Sequence, residues 1–170
     1  MIIVLNGPLG IGKSTLAESL AESIDQCVML DGDYLVAANP PRANQLEHLH
    51  STLALLIAHH RRFGYCHFVI NHLWSTPAEL DELRHTLLTV DTAADIRCFL
   101  LTLPLAENIH RIQRRQLARA IDEGEFEQRT LTQERTALFE GGSGDLGEPF
   151  DVSAPPMDLV AALSQRLGLR

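Results

Sequence analysis

Along this chain, short apolar runs alternate with longer segments whose apolar residues recur every three or four positions. That alternation calls for parallel strands joined by crossover helices, an α/β class. Runs at Ile2 to Leu5, Val28 to Leu30, Phe68 to Ile70 and Ile96 to Leu103 read as buried strands, and a shorter fifth is expected from Phe150 to Val152. Between them, Leu16 and Leu20 mark one helix, Leu46, Leu49, Leu53 and Leu56 a second, and Leu80, Leu83 and Leu87 a third. Ile109 and Ile112 open a fourth; Leu159, Val160, Leu163 and Leu167 give the last, just after Pro155-Pro156. From Asp122 to Gly147 the chain becomes charged and then glycine-rich at Gly141-Gly142-Ser143-Gly144, with few apolar residues to anchor it, so mobility is expected there. The 170 residues contain no repeat or low-complexity tract and suit a single domain over 1–170.

Composition adds exclusions. With 45% hydrophobic and 21% charged residues the chain is globular in make-up, and no stretch approaches the roughly 20 apolar residues of a membrane span. Met1-Ile2-Ile3-Val4-Leu5 leads directly into a functional loop, leaving no room for a secretory leader. Cys27, Cys66 and Cys98, an odd and scattered set in apolar surroundings, point to a reducing cytoplasm. The net charge of -8 opposes a nucleic-acid partner, whereas a small charged substrate needs only a local patch.

The most specific signal is Gly7-Pro8-Leu9-Gly10-Ile11-Gly12-Lys13-Ser14, which matches G-x-x-x-x-G-K-[ST] between an apolar strand and a helix. Glycines let the backbone curl with its N–H groups inward, and the helix start adds its positive end, so the loop binds the phosphates of a nucleoside triphosphate. ATP with magnesium is the expected ligand. Lys13 would bridge the β- and γ-phosphates, Ser14 would place its hydroxyl on magnesium, and Thr15 would add a phosphate contact.

The second apolar run ends in Asp31-Gly32-Asp33, and in parallel sheets ligands lie beyond the carboxyl ends of the strands. If the chain stays extended through Gly32, both carboxylates face the same side about 7 Å apart. One can serve magnesium and the other the acceptor hydroxyl; the plainer alternative is a polar turn in which Asp33 caps the next helix. The third strand ends in Asn71-His72 where a Walker-B carboxylate would stand, so the acid must come from another strand end. Asn71 and His72 could touch substrate, hold a magnesium-bound water, or be satisfied by the backbone.

Arg111, Arg115 and Arg119 recur every four residues with Arg114 in between, giving a cationic helical face away from Ile109 and Ile112. Folded over the nucleotide as a lid, such a face stabilises the transferring phosphoryl group. The alternative is a solvated face paired with Glu107 and Glu123. His48, His50, His59 and His60 lack the spacing of a metal site, and Arg61 and Arg62 suit their helix's C-terminal dipole.

Loop at the first strand, Asp-x-Asp at the second and arginine stripe after the fourth together resemble the small P-loop kinases. That group includes shikimate, gluconate and nucleotide kinases and the chloramphenicol phosphotransferases. The span from Val69 to Arg115, with Thr76-Pro77-Ala78-Glu79 after an acid-free third strand, looks most like the tunicamycin-resistance proteins. The resemblance implies a three-layer fold with a five-stranded parallel sheet in order 2-3-1-4-5, a helical lid over about 111–147, and adenine near Ser153-Ala154-Pro155. It implies catalytic roles for Lys13, Asp33, Arg111 and Arg115, a nucleotide contact from Arg114, and magnesium on Ser14 and Asp31. The implied activity is ATP-dependent phosphorylation of a small molecule such as a nucleoside or nucleotide, a sugar acid or an antibiotic. The rival is a nucleotide-binding module or slow NTPase with a regulatory role. Tyr34, Leu35, Asn39, Pro40, Pro41 and Arg42 match no known acceptor signature, and no motif specifies the oligomeric state.

Overall fold

The computed structural model describes residues 1–40, 43–117, 123–140 and 144–169. Pro41, Arg42, Arg119, Asp122 and the Gly141-Gly142-Ser143 run, all drawn on above, lie outside the described residues. Strand β1 (Ile2–Asn6) leads through the loop into α1 (Lys13–Glu22), then β2 (Cys27–Asp31), a short α2 (Gly32–Leu35), α3 (Gln45–Arg61) and β3 (His67–His72). The second half runs α4 (Pro77–Val90), β4 (Ile96–Thr102), α5 (Leu105–Gln116), α6 (Gly124–Phe139), β5 (Glu148–Asp151) and α7 (Pro156–Leu167). The five strands pair in parallel in the order β2-β3-β1-β4-β5, as expected.

Alternation across the sheet divides the core in two. Ile3, Leu5, Val69, Phe99 and Leu101 pack with Leu16 and Leu20 of α1 and Leu159 and Leu163 of α7. Ile2, Val4, Phe68, Ile70 and Cys98 pack with Leu49 and Leu53 of α3 and Leu80 and Leu83 of α4. Every residue of β1 is buried, because helices cover the sheet on both faces. This central strand delivers the loop at its carboxyl end, between α1 and the N-terminal half of α5.

The structure corrects three local expectations. The chain does not stay extended after β2: Gly32 opens a helical turn, and Asp31, not Asp33, is its N-cap, accepting from the Asp33 N–H at 3.0 Å. The Asp122–Gly147 stretch is better anchored than its composition implied. Its described part contains α6, with Leu131 and Leu138 buried, and Leu146 is buried just before β5. Finally, β5 begins at Glu148, two residues before its first buried apolar side chain, Phe150, which meets Phe99 of β4 edge-on at 6.1 Å.

Thr76-Pro77-Ala78-Glu79 has a clear local purpose. Thr76 accepts from the Glu79 N–H at 3.3 Å while the Glu79 carboxylate accepts from Thr76 and Ser75, a capping box that starts α4 with proline in its first turn.

If Leu131 anchors α6, Leu131→Ala costs about 2–5 kcal/mol, a fall in Tm of roughly 5 °C or more. A calorimetric Tm within about 2 °C of the parent would show that α6 contributes little to the cooperative fold.

Candidate active site

The loop after β1 is built by glycine geometry and by partners from α5. Gly10 and Gly12 have φ of +73° and +104°, a region other residues enter at a cost. A Cβ on Gly10 would lie 2.4 Å from Ile112 Cγ1, so α5 packs directly on the turn. Asn108 Nδ2 donates to Leu9 O at 3.1 Å, and Arg111 Nη1 donates to Ile11 O at 3.0 Å. Two of the loop carbonyls, those of Leu9 and Ile11, are thereby held by α5, which keeps them from turning toward the loop's N–H groups.

Lys13 Nζ donates to Gly7 O at 2.9 Å and to Pro8 O at 3.2 Å. Burial lowers the pKa of its ammonium, while Glu134, Asp33 and Asp31 oppose that shift. A cation partly withdrawn from water attracts a phosphate more strongly than one in bulk solvent, and the carboxylates around it offset part of that attraction.

At the end of β2, Asp31 gathers a compact network. Its Oδ2 accepts from Ser14 Oγ at 2.9 Å and from Asn71 Nδ2 at 2.9 Å, and Asn71 Nδ2 also reaches Ser14 Oγ at 3.3 Å. Asn71 is buried and its Oδ1 has no partner. Hydroxyl, carboxylate and amide oxygens are the hard donors that magnesium prefers, with water completing its shell, so Ser14 and Asp31 fit that ion. Among the described residues no group of three or more His, Cys, Asp and Glu could hold a metal alone.

Asp33 occupies a different place. His72 Nδ1–H donates to its Oδ1 at 2.8 Å, and that bond, reinforced by the charges of His72 and Lys13, holds the carboxyl below its ordinary pKa. His72 is clamped: a Cβ on Gly32 would lie 2.7 Å from it, and its ring meets Trp74 edge-on at 5.4 Å. Trp74 is fixed in turn, its N–H donating to Asn6 Oδ1 at 3.0 Å and its Nε1–H to His50 Nε2 at 2.9 Å. Asp33 itself is exposed, with 69% of its side chain accessible against 17% for His72.

Leu9 to Leu16, Asp33, Arg111, Arg115 and the stretch from Val152 to Pro156 line one cavity of about 570 Å³. It runs from the phosphate loop to the turn after β5.

A family model described as AAA domain matches residues 2–138. The chain belongs to the AAA domain family. No curated protein sequence matches this AAA domain. Its fold is that of the small P-loop kinases, as the sequence resemblance implied. A sugar kinase from Janibacter sp. HTCC2649 superposes with a TM-score of 0.72 at 18% identity, covering 99% of this chain and 94% of the other. The tunicamycin resistance protein of Deinococcus radiodurans gives 0.67 at 18%, covering 99% and 96%. Shikimate kinase from Bacteroides thetaiotaomicron gives 0.62 at 15%, covering 99% of both chains.

In this AAA domain, Lys13, Ser14, Thr15, Asp33, Arg111 and Arg115 share the cavity, and Asp31 lies behind Ser14. Gly7 and Pro8 offer their carbonyls to Lys13 and do not line the cavity. The expected separation of the arginine face from Ile112 does not hold, since Arg111 and Ile112 both meet the loop. Arg111 Nη2 also donates to Val152 O at 2.7 Å, and Arg115 pairs with Glu127 of α6 at 2.5 Å. Arg114 is exposed and outside the cavity lining.

Sequence reasoning missed Asn6, Asn108, Trp74, Glu127 and Glu134. Asn6, a polar residue ending an otherwise apolar strand, was the one local signal among them.

A folded-state carboxyl held low stabilises the protein above its unfolded pKa, and that contribution disappears as pH falls through the lowered value. Melting curves should therefore place the parent slightly above Asp33→Asn near pH 6, with the margin closing below about pH 4. A margin independent of pH would remove the His72–Asp33 pair from the account.

Proposed function

We propose that the protein is an ATP- and magnesium-dependent phosphotransferase acting on a small-molecule acceptor. The observation that carries this reading is the Asp33 carboxylate, exposed to the cavity that Lys13 and Ser14 line and held in place by His72. Nucleotide binding alone needs no such group.

In this reading the loop N–H groups and Lys13 hold the phosphates, and the adenine lies toward Ser153, Ala154 and Pro155. Magnesium on Ser14 and Asp31 would neutralise charge on the phosphate oxygens. Asp33 Oδ1 is taken by His72, so its other oxygen receives the acceptor hydroxyl. As the acceptor oxygen bonds to the γ-phosphorus and the bond to the ADP oxygen breaks, the hydroxyl proton passes to Asp33 and the imidazole keeps the carboxyl aligned. Arg115 and Arg111, which line the same cavity, would stabilise charge that develops on the transferring group. The remainder of α5 together with α6, within the stretch from 111 to 147, acts as a helical lid that excludes water.

The acceptor is a small molecule bearing a hydroxyl or phosphate, within the range of nucleosides and nucleotides, sugar acids and antibiotics. Cys27, Cys66 and Cys98 are free thiols, in keeping with a cytoplasmic setting. Among the described residues no helix is long and apolar enough to cross a membrane.

Magnesium ATP at a hundredfold excess over its Kd should stabilise the fold by about 2.7 kcal/mol, a rise in Tm of several degrees. Lys13→Ala should lose most of that rise, and chelating magnesium should shrink it. A full rise in the Lys13→Ala protein would sink the phosphate-loop assignment.

A further inference from the structure

Helix α6 aims an unusual stripe at the body of the protein. Glu127, Leu131, Glu134 and Leu138 recur at intervals of four, three and four, the spacing of one helical face. Leu131 and Leu138 are buried, as such a face requires, but Glu127 is buried too and Glu134 is half-buried. Carboxylates on an inward stripe lose hydration and persist only where donors replace it. Arg115 and Gln116 of α5 supply donors to Glu127. Glu134 finds its donor in the phosphate loop itself: its Oε2 accepts from the Leu9 N–H at 2.5 Å.

That contact falls on the part of the loop used by the end of a phosphate chain. Lys13, the side chain that reaches the last two phosphates in this motif, has its Nζ on the carbonyls of Gly7 and Pro8, immediately before Leu9. Among the charges acting on that ammonium, Glu134 is the largest. The phosphates nearer the nucleoside belong to the other end of the loop, where Gly12 and Lys13 open α1. The Glu134 carboxylate thus holds one N–H and faces one ammonium that a terminal phosphate needs. Partial burial pushes its carboxyl up, and Leu9 N–H and Lys13 pull it back.

We propose that Glu134 is an internal competitor for the phosphate loop and sets which nucleotides enter it: a triphosphate must displace the carboxylate, whereas a diphosphate leaves it in place. This rests on the nucleotide site proposed above. Two anions cannot share one backbone donor, and like charges side by side repel. On displacement α6 loses its tie to the loop but keeps its tie to Arg115 through Glu127, so the helix registers the length of the phosphate chain at the site. Glu134 is in this sense a specificity-determining residue that acts by exclusion.

The test is equilibrium dialysis of ATP and of ADP, each with magnesium, against the parent, Glu134→Gln and Glu134→Ala. Glutamine keeps an acceptor without the charge; alanine removes both. Glu134→Ala should tighten ATP about tenfold or more and ADP less than about threefold, with Glu134→Gln between parent and alanine. Equal tightening of the two nucleotides, unchanged affinities, or weaker ATP binding would each overturn the proposal. The Glu134→Gln arm decides the matter if Glu134→Ala folds poorly. If ATP binds the parent with no altered discrimination in the variants, Glu134 alone fails; if ATP binds no variant and not the parent, the nucleotide site falls and this inference with it.

Discussion

A phosphate loop works only while its N–H groups converge, and they converge only if its carbonyls are held elsewhere. Here α5 does the holding. Asn108 takes the carbonyl of Leu9, Arg111 that of Ile11, and Ile112 fills the space that the missing Cβ of Gly10 leaves. Because Arg111 also donates to Val152 O, one guanidinium joins the loop to the end of β5, the two walls of the same cavity. The charge-stabilising role proposed for it and its role as a clamp are therefore not separable by simple truncation. Removing it would loosen the loop before any chemistry is tested.

The charges of the site balance around Lys13. Burial disfavours its ammonium, and Glu134, Asp33 and Asp31 favour it. The three carboxylates have distinct partners: Asp31 has Ser14, Asn71 and the start of α2, Asp33 has His72, and Glu134 has Leu9. The proposed function gives each a different task, magnesium for the first, the acceptor for the second and control of entry for the third. The net charge of -8 does not by itself oppose the nucleotide binding proposed here, since a helix start and a lysine give a local positive field at this point.

The strands and the loop were legible in the sequence because each couples pattern to one physical cause. A parallel sheet covered on both faces needs unbroken apolar runs, and Ile2 to Leu5 is such a run. The loop motif ties glycine spacing to a lysine and a hydroxyl, which chance turns do not. Helix α6 was not legible, since Glu127 and Glu134 stand where apolar residues would have marked its inner face. The Asp-Gly-Asp reading placed the pair at the end of β2, with both carboxylates on one side only if the chain stayed extended, or in a turn capped by Asp33. Gly32 instead starts a helix, which turns Asp31 into a cap and leaves Asp33 to His72. The supports from Asn6, Trp74 and His50 lie far apart in sequence, and only the fold brings them together.

The central claim is that Asp33 serves an acceptor and not the nucleotide. The direct measurement is transfer of labelled γ-phosphate from ATP to pooled nucleosides, sugar acids and hydroxylated antibiotics, with ATP affinity measured in parallel for the parent and Asp33→Asn. The account predicts labelled phosphate ester with the parent, a loss of roughly 10²- to 10⁴-fold in transfer with Asp33→Asn, and nearly equal ATP affinity for the two. Label appearing only as inorganic phosphate, at the same rate in both proteins, would contradict it and leave a nucleotide-binding module that hydrolyses ATP slowly.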